Sequence, residues 1–414
     1  MAANVPAAPS TSFRAKGPSY LATIAIGHGV KHFYVAAFVV FLPLIEEQYA
    51  LTAVGVATLG TLRQFGAGAP NFIVGYVSDR LRNHWHLLLP ASLLAAAAFL
   101  MLAGFSPWYW PLVFCIAMAG ASASFWHPPA ISMLSLRFPN RRGMAIAFHG
   151  AGSGAGEALG PLVVGTVLVL FLANEWRTYV VISFVPAVLI ALLLLWMLKG
   201  ARVQPEQPET EEGHHPTPRL TDIFSMLRFP VYRTLAFANF CRSFSHFGML
   251  TFLTLYLRDL GMDAQGQGFH VALLTMLGVA AGPAFGYFSD RTGRRMLMVA
   301  AFAAISIGMF SMGLAGSGIL LTIALAVTGI FLWSVQDVIN ATAMDAAPQG
   351  FQGSVVGLMF TSSFLAGIIA PLIAGGLITL FGGDRIVIFY LSGIVAVPAA
   401  LALAFGPLTR AQTQ

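Results

Sequence analysis

The sequence predicts an all-α membrane protein, with twelve transmembrane helices arranged as two pseudo-symmetric six-helix bundles. Three observations predict it. The chain of 414 residues is 57% hydrophobic and 9% charged, where soluble domains carry roughly 25% charged residues. So little charge could not cover the surface of a water-soluble protein of this length. Apolar stretches of about 20 residues, long enough to cross a bilayer, recur roughly twelve times. Finally, a short basic sequence occurs twice, as Gly75-Tyr-Val-Ser-Asp-Arg80 and as Gly286-Tyr-Phe-Ser-Asp-Arg-Thr-Gly-Arg-Arg295, 211 residues apart. Each copy ends an apolar stretch, which is the pattern of a duplicated bundle.

Residues 1–19 are rich in Ala, Pro and Ser and read as a disordered cytoplasmic tail. The first bundle, residues 20–199, holds spans near Tyr20–Ile45, Val54–Val77, Leu87–Gly104, Trp108–Leu136, Gly143–Leu172 and Thr178–Leu198. Residues 200–228 enclose Gln204-Pro-Glu-Gln-Pro-Glu-Thr-Glu-Glu212, too polar to bury anything, and read as a cytoplasmic linker. The second bundle, residues 229–407, holds spans near Tyr232–Leu257, Gly268–Phe288, Met296–Leu314, Ile319–Met344, Gly353–Phe381 and Ile386–Phe405, before a short cytoplasmic tail at 408–414. With this topology sixteen of the 22 basic residues fall on one side. That bias places both termini in the cytoplasm and assigns the net charge of +6 to orientation in a bilayer, not to nucleic acid. Cys115 and Cys241 both fall inside apolar spans, which excludes a disulfide framework and a Cys-rich metal site.

The halves match beyond the repeated loop. At an offset of 211, Lys31 lands on Arg242 and His28 on Asn239; at 210, Gly143, Pro161 and Gly165 land on Gly353, Pro371 and Gly375, and His127 on Asp337.

The run Gly286-x-x-x-Asp290-Arg291-x-Gly293-Arg294-Arg295 resembles the signature of the major facilitator superfamily. Gly156-x-x-x-Gly160-Pro161 resembles its antiporter motif. Phe125-Trp-His-Pro128 and the Gly143–Gly165 stretch are similar to the fosmidomycin-resistance branch, which carries Asn-Asp where this chain has Lys31-His32. The resemblance implies the major facilitator fold and secondary active transport. It also implies a cavity lined by the first, fourth, seventh and tenth helices. Gly75, Asp79, Arg80, Gly286, Asp290, Arg291, Gly293, Arg294 and Arg295 are then gating candidates. Physically, a Gly lets helices approach closely, an Asp near a helix end pairs with Arg, and trailing Arg residues sit at the anionic leaflet. The alternative is that the loop serves topology alone. Gly156, Gly160 and Pro161 are helix-packing candidates.

Ionisable residues within spans are costly, and by default functional. His28, Lys31 and His32 share one helical face, as do Asn239, Arg242 and His246. If the halves are pseudo-symmetric, Lys31 and Arg242 face each other across a cavity and repel unless an anion sits between them. The alternatives are a snorkelling Lys31 or an Arg242–Asp337 pair. Trp126, His127, Trp333, Gln336 and Asn340 supply aromatic and polar surface for a substrate with an apolar body, or simple helix contacts. Asp337, Glu157 and His32 are the proton-coupling candidates. Glu157 could instead pair with Arg63.

Several signals fail. Gly150–Gly156 is no dinucleotide fingerprint, because the third Gly would fall at Ala155; no P-loop appears, which argues against ATP drive. No catalytic constellation, cofactor or resident metal is expected. The resulting expectation is a monomeric transporter of a bacterial cytoplasmic (inner) membrane. It would export a small organic anion or amphipathic drug-like acid against protons. Uptake or exchange of a carboxylate or phosphate ester is the alternative. Cation or transition-metal efflux through His28, His32 and His127 comes third, with Lys31 arguing against a divalent cation.

Overall fold

A computed structural model describes residues 17–199, 220–348 and 351–408. Residues 1–16 of the expected 1–19 tail, 200–219 of the expected linker and most of the 408–414 tail lie outside the described residues; residues 17–19 are not tail but the first turn of α1, and the end of the expected linker forms a short helix. The first half contains α1 (Gly17–Gln48), α2 (Ala53–Gly68), α3 (Asn71–Arg80), α4 (Trp85–Gly104), α5 (Tyr109–Ser124), α6 (His127–Arg137), α7 (Arg142–Phe171), α8 (Trp176–Ile182) and α9 (Phe184–Met197). The second half contains a short α10 (Leu220–Ser225), then α11 (Pro230–Asp259), α12 (Ala264–Thr292), α13 (Arg294–Ala315), α14 (Ile319–Asp345), α15 (Gln352–Leu380) and α16 (Val387–Phe405). The pairs α2–α3, α5–α6 and α8–α9 each make one span, so the architecture is twelve spans, six to a half.

The three broken spans have a common cause. Pro70, Pro128 and Pro186 lie at or just after the breaks, and each removes a backbone donor from the helix. Ten helical stretches among the described residues are long and apolar enough to cross a membrane. The two spans not among them have identifiable reasons. The α2–α3 span is interrupted at Ala69–Pro70. Helix α11 carries Arg233, Asn239, Arg242 and His246, which lower its hydropathy but suit an interior position.

Small residues set how closely the helices pack. A Cβ on Gly156 would stand 2.0 Å from the Gly29 carbonyl oxygen, and one on Gly160 2.5 Å from that of Phe33, so α1 and α7 touch backbone to backbone. The halves meet along two equivalent seams, α7 on α12 and α2 on α15. In the first, a Cβ on Gly165 would come within 2.2 Å of the Ala264 oxygen, and one on Gly268 within 2.2 Å of the Pro161 oxygen. In the second, a Cβ on Gly375 would lie 2.8 Å from the Ala53 oxygen.

The hydrogen bonds and ion pairs that join the halves lie toward the end opposite the linker, called here the far end. Thr254 donates to the Val39 carbonyl at 2.6 Å, Arg258 to that of Pro43 at 2.9 Å and Thr61 to that of Ile368 at 3.0 Å. Glu46 receives both Arg258 and Arg385, the latter at 2.6 Å, and Arg385 also pairs with Asp259.

At the linker end the repeated motif makes its contacts within one half. Arg294 lies 2.7 Å from Asp345 and 3.6 Å from Asp290. Arg295 donates to the carbonyls of Leu403, Ala404 and Gly406, closing the end of α16 where the helix dipole favours a cation. Gly293 has φ of +91°, a conformation that favours glycine. Arg291 stacks on Tyr287 at 4.2 Å and Arg80 on Tyr76 at 4.7 Å. The expectation of a close helix approach at Gly286 needs correction: a Cβ there would meet nothing within 4 Å, so no neighbouring helix packs against it. The side-chain placements of Gly75 and Asp79 lie outside the described residues.

Candidate functional site

The first half gathers its polar side chains into one cluster. From α1, His28, Lys31 and His32 project inward on consecutive turns; α6 supplies His127 from its first residue, and α7 supplies His149 and Glu157. Lys31 Nζ lies 2.8 Å from His127 Nε2, and His32 Nδ1 lies 2.7 Å from Glu157 Oε1. His28 Nδ1 donates to the His149 carbonyl at 2.8 Å, and the two rings stack with centroids 3.7 Å apart. Trp126 is fully buried and donates its Nε1–H to His149 Nε2 at 3.2 Å. It therefore supports the histidine stack, where the sequence suggested a substrate contact. His149 was not among the sequence candidates. It lies eight residues before Glu157 on the same face of α7, and that periodicity was the available signal.

The second half is built differently. Arg242 is buried, donating to the Leu332 carbonyl at 3.4 Å and to Ser243 Oγ at 2.8 Å. Asn239 is fully buried, with its amide bonded to the Met359 carbonyl, Ser362 and Ser363. It belongs to the seam between α11 and α15, a correction to its expected place in the cavity. His246 packs edge-on against Trp333 with centroids 4.5 Å apart, and neither of its buried ring nitrogens has a hydrogen-bond partner among the described residues. On α14, Gln336 donates to Asn340 at 3.1 Å, while Asp337 is exposed and faces α12 near Gly282.

Two cavities adjoin these groups. One, of about 180 Å³, is lined by first-half residues alone, among them Lys31, His32, Arg63 and His127. The other, of about 160 Å³, lies between the halves and is lined by Arg63, Gln64, Glu157, His246 and Trp333 among others. The expectation that Lys31 and Arg242 face each other across one cavity is therefore not met here. Each cation is held by neutral acceptors of its own half. The suggested Arg63–Glu157 and Arg242–Asp337 ion pairs are also absent among the described residues. Glu157 is taken by His32, and Arg63 donates to the Val35 carbonyl at 2.8 Å while stacking on Phe38.

A metal trio is available, but with His149 in place of His32: one ring nitrogen each from His28, His127 and His149 lies within 4.8 Å of the others. The rings do not suit an ion as they stand. His28 and His149 are parallel to within 7°, so their in-plane lone pairs cannot converge, and the Lys31 ammonium occupies the His127 nitrogen.

The Major Facilitator Superfamily model matches residues 24–371 and 235–414. The chain is 22% identical to the fosmidomycin resistance protein of Escherichia coli (strain K12) over 372 residues, covering 89% of this chain and 88% of that one. It is 25% identical to the hexuronate transporter of Bacillus subtilis (strain 168) over 399 residues, covering 89% of each. Its fold matches the crystal structure of a bacterial homologue of the human lysosomal transporter Spinster in an inward-facing, unoccupied conformation. The TM-score there is 0.72 at 14% identity, over 94% of this chain and 95% of that one.

Proposed function

Because the chain belongs to the major facilitator superfamily, we propose that it is a secondary active transporter that exports a small organic anion in exchange for protons, by alternating access. One observation carries the anionic cargo. Lys31, Arg63 and Arg242 lie inside the bundle without a carboxylate ion pair among the described residues, while Glu157 is engaged by His32. A buried charge with no counter-charge is costly, so an anion that enters offsets a penalty the empty protein already carries. The proton reading rests on Glu157. Its carboxylate borders the cavity between the halves and touches an imidazole, so a proton there would release the His32 contact.

The positive-inside bias supports a cytoplasmic linker end with both termini there, and the bacterial relatives favour a cytoplasmic (inner) membrane. The far-end seams and the Glu46 cluster then close the outward side, which makes this the inward-open state. Export is favoured by the antiporter-like Gly156–Pro161 run and by the relative named for fosmidomycin resistance. Uptake or exchange of an anionic metabolite is the second reading, favoured by the relative named a hexuronate transporter.

The test is proton movement in proteoliposomes, read by an internal pH dye while a panel of organic acids is imposed as gradients. At least one acid should drive proton flux through the wild type. Glu157→Gln should reduce that flux at least tenfold while acid exchange continues. Undiminished proton coupling in Glu157→Gln removes this residue from the role, and a wild type that moves none of the acids refutes the anion reading.

A further inference from the structure

Resting on the reading of an anionic cargo, we infer that the anion subsite lies inside the first half, between Lys31, Arg63 and His127, and not between the cations of the two halves. Both first-half cations line the same 180 Å³ cavity, and Arg242 does not. Lys31 is 4% exposed, and its ammonium is met only by a histidine nitrogen. Arg63 holds the Val35 carbonyl through one terminal nitrogen and rests on Phe38, leaving its charge unpaired among the described residues. Two cations in one enclosure, neither in a carboxylate ion pair among the described residues, define an electrostatic well for a carboxylate or comparable anionic head.

The rest of the enclosure is mostly apolar, with Leu93, Ala97 and Ile116 in its wall, and adds the polar side chains of Asn71 and Ser124. Its volume corresponds to about six waters, enough for a compact acid with a small hydrocarbon body. Arg63, Val35 and Phe38 also line the cavity between the halves, so they form the partition between the two spaces. A guanidinium on that partition can receive the anion on one side and release it on the other. This gives Arg63, from the second span, a role for which the sequence offered only a pairing with Glu157.

Binding to purified full-length protein separates the possibilities, with benzoate as the probe and benzamide as its uncharged isostere. Calorimetry and thermal shift should show benzoate binding, and benzamide at least tenfold weaker. Lys31→Met and Arg63→Gln should each weaken benzoate at least tenfold, Arg242→Gln less than threefold, and Lys31→Arg should retain binding. Melting without ligand shows that each variant is folded, and retention in Lys31→Arg reports a site whose cavity has survived substitution. Benzoate binding lost in Arg242→Gln but kept in Arg63→Gln overturns the location and leaves the anion reading standing. A wild type that ignores benzoate, or binds benzamide equally well, overturns both.

Discussion

The two halves share a helical plan but differ in the chemistry they bury. The first half surrounds one lysine with four imidazoles and a carboxylate, side chains that can each gain or lose a proton. The second holds one arginine on a serine hydroxyl, itself bonded to a second serine, and on a backbone carbonyl, partners that hold charge without titrating. Their backbones differ in the same sense. Three first-half spans are broken at proline, including the one that delivers His127, whereas their counterparts α12, α14 and α16 run unbroken. Duplication therefore preserved where helices sit and left their interiors free to specialise. Under the proposed function, the first half would carry protons and cargo and the second would supply a permanently charged counterpart.

The sharpest way to break this comparison is at the seams, where the halves are most alike. Gly165 and Gly375 occupy equivalent positions, and each leaves no room for a side chain. Gly165→Leu and Gly375→Leu should each prop open the far end and cut transport about a hundredfold or more, since backbone atoms cannot yield as side chains do. Flux and far-end cysteine labelling would report it; loss in only one variant would make the seams functionally unequal. A smaller effect is expected at the far-end latch, where the first half contributes a single acid to two guanidinium groups of the second. Glu46→Gln should accelerate labelling there several-fold, and unchanged labelling would mean that the helix seams alone hold this end shut. The smallest effect concerns the repeated loops. Arg80→Ala and Arg291→Ala each remove a stack on tyrosine worth about 0.5–1 kcal/mol at an exposed site. Equal small drops in Tm are expected, and unequal ones would show that only one copy of the loop contributes to stability.

Much of this was legible in the sequence. Composition and the twelve apolar stretches gave the class, and the repeated loop gave the division into halves. The inward turn of His28, Lys31 and His32 followed from their spacing on α1. The Arg242 environment was not legible, because Ser243 and the Leu332 carbonyl are unremarkable in a linear sequence and become ligands only by packing. Neither was Trp126: a buried indole looks the same in sequence whether it meets a substrate or a histidine.

The sequence by itself determined that this chain lives in lipid and that it is built twice, because hydropathy and repetition are properties of residues in order. Only the tertiary structure decided which buried charges share a space. Periodicity places a side chain on one face of its own helix, but the neighbour that face meets depends on how the glycines let helices slide and cross. That is why Lys31 keeps company with His127 and Arg63 in the first half, while Arg242, its counterpart in register, is held by the Ser243 hydroxyl and the Leu332 carbonyl of the second.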